Sequence, residues 1–231
     1  MASGEASYGV VPLENSLEGS VNVTLDLLYL MDVKICGEIQ EPISHNLIVK
    51  PGTRRSQIKV IVSHPQALAQ CSAYLEANFP KAKWKEASST AAAVKSLKRL
   101  RNAAAIGTEL AAKIYGMKIL ERNLNGGNRN FTRFIVLSLE DCKPTGRDKT
   151  SVIFSIKDRP GALYEALKPF AVRSINLTKI ESRPSKDEPW TYIFFMEFEG
   201  HRTEKKCLEA LRDLESLCSF VKILGSYPRV I

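Results

Sequence analysis

The stretch “TSVIFSIKDRPGALYEALKPFAVRSINLTKIESRP” (residues 150–184) decides the fold of the C-terminal part of the chain. Its opening, “TSVIFSIK” (150–157), is crowded with β-branched and aromatic residues and reads as a strand. The Pro-Gly pair at 160–161 ends that run. “PGALYEALKPFAVRS” (160–174) then carries Leu163, Leu167 and Phe170 on one helical face. Asp158 is the expected N-cap, with Pro160 and Gly161 in the first turn. “INLTKIESRP” (175–184) returns to a strand, and period-two alternation puts Glu181 and Arg183 on one face with Ser182 opposite. Further on come a strand, “WTYIFFMEFEG” (190–200), a helix, “TEKKCLEALRDLESLC” (203–218), with Leu208, Leu211 and Leu214 aligned, and a last strand, “SFVKILGSYP” (219–228). The order βαββαβ is the ferredoxin-like α+β arrangement.

Upstream lies “DCKPTGRDK” (141–149), polar and interrupted by Pro and Gly, which reads as a linker. Before it the pattern differs. “YGVVPLE” (8–14) reads as a short buried strand and “SVNVTLDLLYL” (20–30) as a helix with Val21, Leu25 and Leu28 on one face. “HNLIVKPG” (45–52), “QIKVIVSH” (57–64), “AKWKEA” (82–87), “AAAIG” (103–107) and “TRFIVLSLE” (132–140) read as strands. “PQALAQCSAYLEANF” (65–79), “SSTAAAVKSLKRL” (88–100) and “TELAAKIYG” (108–116) read as helices. Pro65 stands in the first turn of one, and Gly116 is a suitable C-cap for another. Strands alternating with helices imply an α/β domain. The expected division is residues 1–142 and 149–231.

Bulk properties narrow the function classes. The chain has 231 residues and a formal net charge of +8. Its densest basic run, “KSLKRLR” (95–101), reads as the wet face of an amphipathic helix, and no aromatic residues are interleaved for base stacking, so no nucleic-acid partner is expected. No apolar run approaches the roughly 18 residues that span a bilayer, and “MASGEAS” (1–7) lacks the apolar core of a secretory signal. The five cysteines, at 36, 71, 142, 207 and 218, never form a CxxC. Reduced thiols, a cytoplasmic location and no zinc site are the expectation. The histidines, His45, His64 and His201, lack metal-ligand spacing. No GxGxxG or GxxxxGK[ST] motif is present, so no nucleotide cofactor is expected.

The polar cluster after the first strand, “ENSLEGS” (14–20), supplies candidate ligands. Asn15 and Ser16 can donate to a carboxylate or a hydroxyl, and Ser16 with nearby amides stands before the next helix, whose N-terminus favours anions. Glu14 is either an acid raised by burial or, like Glu18, a helix-capping or ion-paired group. Ser89 and Thr90, at a strand-to-helix junction, are either a cap or a second carboxylate contact, and the two roles are compatible. Alternation puts Thr132 and Phe134 on one face and Arg133 on the other; Arg133 either grips a carboxylate or braces the site. Gly161, without a side chain, lets a ligand approach free backbone amides.

Taken in order, “VPLENSLEGS” (11–20), “ISHNL” (43–47), “SHPQALAQC” (63–71), “STAAA” (89–93) and “NFTRF” (130–134) resemble the prephenate dehydratase family, and “DRPGAL” (158–163) with “INLTKIESRP” (175–184) resembles an ACT domain of the phenylalanine-sensing type. The resemblance covers nearly the whole chain. It implies a periplasmic-binding-protein-like α/β dehydratase domain, partial here, followed by the ferredoxin-like ACT domain. In the family, a further strand, a Gly-rich turn with a serine and a helix precede the ENS segment, so an N-terminally truncated member is expected. The implied reaction is decarboxylating dehydration of prephenate to phenylpyruvate, with no cofactor and no metal, inhibited by phenylalanine. Thr132 takes the catalytic role by this resemblance, with Asn15 and Ser16 beside it, and Arg133, Phe134, Ser89, Thr90 and Glu14 as substrate contacts. The effector residues it implies are Gly161, Ala162, Leu163, Asn176, Leu177, Glu181, Ser182 and Arg183, at an interface in a homodimer or homotetramer. Arogenate dehydratases share the scheme, but the short join “ESRPSKDEPWTYIFF” (181–195) looks more like the bacterial and archaeal enzymes. A non-catalytic phenylalanine-binding protein is the rival from another class.

Overall fold

The computed structural model describes residues 4–124, 130–185 and 192–230. They form two compact units: residues up to Glu41 together with those from Thr132 onward, and Pro42–Phe131.

In the first unit two four-stranded sheets carry the core. The smaller region holds β1 (Gly9–Asn15), β2 (Gly19–Ser20), helix α1 (Asn22–Leu30) and β3 (Lys34–Pro42). The second unit supplies β4 (Asn46–Val49), β5 (Val60–Ser63), α2 (Pro65–Gln70), α3 (Ser72–Asn78), β6 (Lys83–Glu86), α4 (Thr90–Ser96), β7 (Ala103–Gly107), α5 (Glu109–Tyr115) and β8 (Lys118–Glu121). The chain returns to the first unit with β9 (Phe131–Ser138), then β10 (Asp148–Ser155), α6 (Ala162–Ala171), β11 (Leu177–Pro184), β12 (Tyr192–Glu199), α7 (Lys205–Leu217) and β13 (Phe220–Pro228).

The C-terminal sheet runs β11-β12-β10-β13, every pairing antiparallel, and so realises the expected βαββαβ order. Val152, Phe154, Met196 and Phe198 on one face pack with Ala166 and Phe170 of α6 and Ala210, Leu211 and Leu214 of α7. The other face is covered too. Ile153, Ile193, Phe195 and Leu224 pack with Leu13, Leu25, Leu28, Ile35 and Ile135 from β1, α1, β3 and β9. That double coverage buries β10 along its whole length. The small sheet runs β2-β1-β9-β3.

The second unit is a five-stranded sheet, β6-β5-β7-β4-β8, with β5 parallel to β6 and β7, and β4 antiparallel to β7 and β8. Leu68 and Leu75 cover one face with Ile61 and Ile106; Val94, Ala111 and Ala112 cover the other with Ile48 and Val62. Helices on both faces make this the α/β part of the chain.

Several local expectations are corrected. β1 is only partly buried, because Leu13 alone of its residues is enclosed. The helix over 65–79 breaks at Cys71 into α2 and α3. α4 stops at Ser96, so “KSLKRLR” is mostly turn rather than helix. In α7 the buried stripe is Cys207, Ala210, Leu211 and Leu214, while Leu208 is exposed. Gly161, at φ +80°, is the residue before α6, so Asp158 does not cap it and Pro160 precedes the helix. Strands β2, β3 and β8 were not legible as strands; in β3 the buried positions are Ile35 and a glutamate, Glu38. Trp190 and Thr191 of the expected strand lie outside the described residues.

Candidate active site

β1 and β9 pair antiparallel, with Asn15 opposite Thr132 and Glu14 opposite Arg133. The register slips between Pro12 and Glu14. Between β1 and β2 the chain makes a tight turn in which Asn15 Oδ1 accepts the backbone N–H groups of Leu17 (3.0 Å) and Glu18 (3.3 Å). Two amide donors fix the side-chain oxygen on that side, so the Asn15 nitrogen must face the other way. It donates to Thr132 Oγ1 at 3.0 Å. A hydroxyl whose oxygen accepts from Asn15 keeps its own hydrogen for a different acceptor, and the accepted bond polarises that O–H. Ser16 is exposed at the tip of this turn. It does not open α1, which starts only at Asn22 after β2, behind Val21.

Arg133 points to the opposite face and is buried. Its Nε donates to Glu14 (2.8 Å), and one terminal nitrogen meets Glu38 (3.0 Å) and Glu197 (2.9 Å). Lys149 bridges the same two acids, at 2.8 Å to Glu38 and 3.2 Å to Glu197. The Val230 amide donates to Glu38 (3.1 Å). Burial favours the neutral acids, but the cations more than offset it: Lys179 and Arg133 hold Glu14 below the ordinary carboxyl range, and Lys149 does so for Glu38. Burial lowers the guanidinium pKa of Arg133, yet Glu197 and Glu14 leave it raised. With its guanidinium engaged by three carboxylates, Arg133 braces the site rather than offering a free fork to a substrate. Phe134 lies on the Thr132 side of β9, opposite Pro12 and half-buried.

The expected effector residues divide. Gly161, Ala162 and Leu163 line a cavity of about 520 Å³ with Tyr164, Tyr192 and Phe194. The others are elsewhere. Asn176 donates to Glu199 (3.2 Å), and Leu177 packs into the core under α6 and α7. Ser182 is exposed on one face of β11. Glu181 and Arg183, on its other face, meet the β1–β2 turn and α1: Ser20 donates to Glu181, and Arg183 pairs with Asp26 (2.9 Å) and donates to Asn22.

In the second unit, Ser89 is the N-cap of α4, its hydroxyl accepting the Ala92 N–H at 3.0 Å, and Thr90 is the first helical residue. His45 Nε2 and Asn130 Nδ2 share Gln70 Oε1, at 2.8 and 2.9 Å. His64 precedes Pro65 at the start of α2, and His201 sits in the turn before α7, hydrogen-bonded to Thr203 (2.8 Å). Among the described residues no cluster of three His, Cys, Asp or Glu side chains could hold a metal, and no helix is long and apolar enough to cross a membrane. Glu38, Lys149, Lys179 and Glu197 escaped the sequence reading; each looks like an ordinary surface charge until the sheets stack. An acid in the middle of the alternating run “VKICGEIQ” (33–40) was the one available signal for Glu38.

Comparison with known proteins identifies the family. The family model for prephenate dehydratase matches residues 1–142, and that for the ACT domain matches residues 150–216. A bifunctional chorismate mutase/prephenate dehydratase of Aquifex aeolicus is 47% identical over 98% of this chain, which spans 62% of that protein's length. The prephenate dehydratase of Methanocaldococcus jannaschii is 45% identical over 95% of this chain and 80% of its own. A crystal structure of prephenate dehydratase from Arthrobacter aurescens, in complex with L-Phe, superposes with a TM-score of 0.90 at 37% identity, covering 98% of this chain and 76% of that one. A match over residues 1–142 joined to an ACT match means that this chain belongs to the prephenate dehydratase family.

Proposed function

We propose that this chain catalyses the decarboxylating dehydration of prephenate to phenylpyruvate, with phenylalanine as its inhibitor. The observation that carries the proposal is the Asn15–Thr132 pair, 3.0 Å apart and formed by the β1–β9 register. In the reaction the ring carboxylate leaves as carbon dioxide, the ring hydroxyl leaves as water, and aromatisation drives both losses. No electron enters or leaves the substrate. The difficult event is departure of hydroxide, which needs a hydrogen bond or a proton at that oxygen. Thr132, its oxygen held by Asn15, directs its O–H at the leaving oxygen; such help is worth about 10²–10⁴ in rate. Thr132 is too weak an acid to carry the proton alone, so it acts as a donor whose bond strengthens as negative charge develops. Ser16 and Phe134 complete the proposed contacts on this side, and Ser89 and Thr90 are proposed for a substrate carboxylate.

Residues 1–142 are proposed as the catalytic domain and 149–231 as the regulatory one, in a cytoplasmic homodimer or homotetramer. The cavity beside Gly161, Ala162 and Leu163 is the proposed effector site, supported by the αL backbone at Gly161, which no side chain encumbers. The test is phenylpyruvate formation by the purified chain from prephenate, with and without phenylalanine, and with arogenate in parallel. Turnover of prephenate that phenylalanine suppresses supports the proposal. Phenylalanine binding by calorimetry without any turnover would replace it with the non-catalytic reading.

A further inference from the structure

Cys36 and Cys142 are 106 residues apart in the chain and side by side in the first unit. Cys36 lies on β3, an edge strand of the small sheet, and its carbonyl accepts the Cys142 Sγ–H at 3.1 Å. The two thiols also meet: burial pushes the Cys36 thiol up, and the adjoining Cys142 thiol pushes it further. Both cysteines are half-buried, and Asp141 and Lys143 on either side of Cys142 are exposed.

The segment that carries Cys142 is irregular backbone, yet it is tied down. Arg202 pairs with Asp141. Thr203 donates its backbone N–H to His201 Nδ1 at 3.2 Å, which leaves the ring proton on Nε2, and Nε2 donates to the Cys142 carbonyl at 3.4 Å. Asp148 accepts the Thr145 and Gly146 amides at 2.8 and 3.0 Å. These contacts hold the Cys142 sulfur at the edge of β3. The other three thiols stand in core clusters, and burial raises them to about 12 at Cys71 and about 11 at Cys207 and Cys218. Thiolate is the reactive form, so those three are inert near neutral pH.

We propose that Cys36 and Cys142 form a reversible dithiol–disulfide site, which a low-molecular-weight disulfide of the glutathione type oxidises and whose closure stabilises the first unit. The Cys142 thiolate attacks one sulfur of the small disulfide, forming a mixed disulfide and releasing one small thiolate. Cys36 then gives up its proton and attacks the Cys142 sulfur. The Cys36–Cys142 bond forms, the second small thiol leaves, and the two protein protons end on the two small thiols. The protein loses two electrons and the oxidant gains them. In a reducing compartment such a bond forms only while the thiol pool is oxidised, which makes it a sensor rather than a permanent cross-link. Residues 36–142 contain the whole of the second unit. The bond therefore joins β3, by which the chain leaves the first unit, to the segment that follows its return on β9. Closing so long a loop removes conformational freedom mainly from the unfolded chain. The site does not depend on the dehydratase reading.

The test exposes the whole native chain to glutathione disulfide and maps its peptides without reduction. The expected product has lost the mass of two hydrogens, joins the peptides of Cys36 and Cys142, keeps Cys71, Cys207 and Cys218 as free thiols, and reverts with dithiothreitol. Cys36→Ser is expected to stop at the mixed disulfide of Cys142 with glutathione. In denaturant, oxidation is expected to lower the unfolding equilibrium constant of the parent by about tenfold or more, with no such gain in Cys36→Ser. A parent that keeps all its thiols, stops at a glutathione adduct, pairs Cys36 or Cys142 with another cysteine, or links only to a second copy overturns the proposal. An oxidised parent that unfolds as readily as the reduced one overturns it too. The parent's own peptide map and unfolding decide the matter even if Cys36→Ser fails to fold.

Discussion

Single side chains here do work that their neighbours dictate. Asn15 is an asparagine because the site needs an acceptor on one side and a donor on the other: Oδ1 takes the Leu17 and Glu18 amides, and Nδ2 gives to Thr132. Asn15→Asp keeps the acceptor and removes the donor. The threonine hydroxyl then turns inward to the carboxylate and, on the proposed mechanism, is lost to the leaving oxygen. The expected result is a fall in kcat of about 10²-fold or more with the melting temperature nearly unchanged, read from phenylpyruvate formation and thermal denaturation. Thr132→Ala should cost about 10²–10⁴ in kcat; full activity would remove Thr132 from the mechanism. Glu38 is a second instance. It is enclosed with Arg133 and Lys149, so Glu38→Gln leaves buried cations less compensated and should destabilise the first unit by about 3–5 kcal/mol in chemical denaturation.

At the scale of elements, the strands and caps follow local rules with one close approach that they do not announce. Ser89 caps α4 through its hydroxyl, a role that the sequence “SST” already signalled. Gly225 is different. On β13 it has φ +153°, and a β-carbon there would stand 2.2 Å from the Ile35 carbonyl oxygen of β3. Backbone cannot yield as a side-chain tip can. Gly225→Ala is therefore expected to destabilise the first unit by about 2 kcal/mol or more, measured by denaturant unfolding. The helices, most strands and the βαββαβ order were legible because hydrophobic period and turn chemistry are local. β3 was not, because its buried positions include Glu38, and a carboxylate reads as exposed until its cations are known. The same holds for Leu208: helical spacing allowed it a place in the α7 stripe, and the neighbouring Cys207 took the interior position instead.

The first unit as a whole is built around charges buried between two sheets, Glu38 and Glu197 against Arg133 and Lys149, with the partly exposed Glu14 and Lys179 at their margin. Glu14 and Glu38 are held below their ordinary value of 4.5, so the unfolded chain binds more protons than the folded one as the medium is acidified. Their stabilisation is present above about pH 4.5 and is lost as pH falls through the lower folded values. A melting temperature that drops on acidification below this point, less steeply in Glu38→Gln, is the expected signature; a flat profile would show that the network adds nothing. The sequence by itself determined the two architectures and the family, because periodicity, turn residues and ordered motifs are properties of neighbouring positions. Only the tertiary structure decided what Arg133, Glu14, Glu181 and Arg183 do. Their charges are spent on partners as far as 165 residues away in the chain, and whether a charge faces a ligand, water or another side chain depends on how the sheets stack.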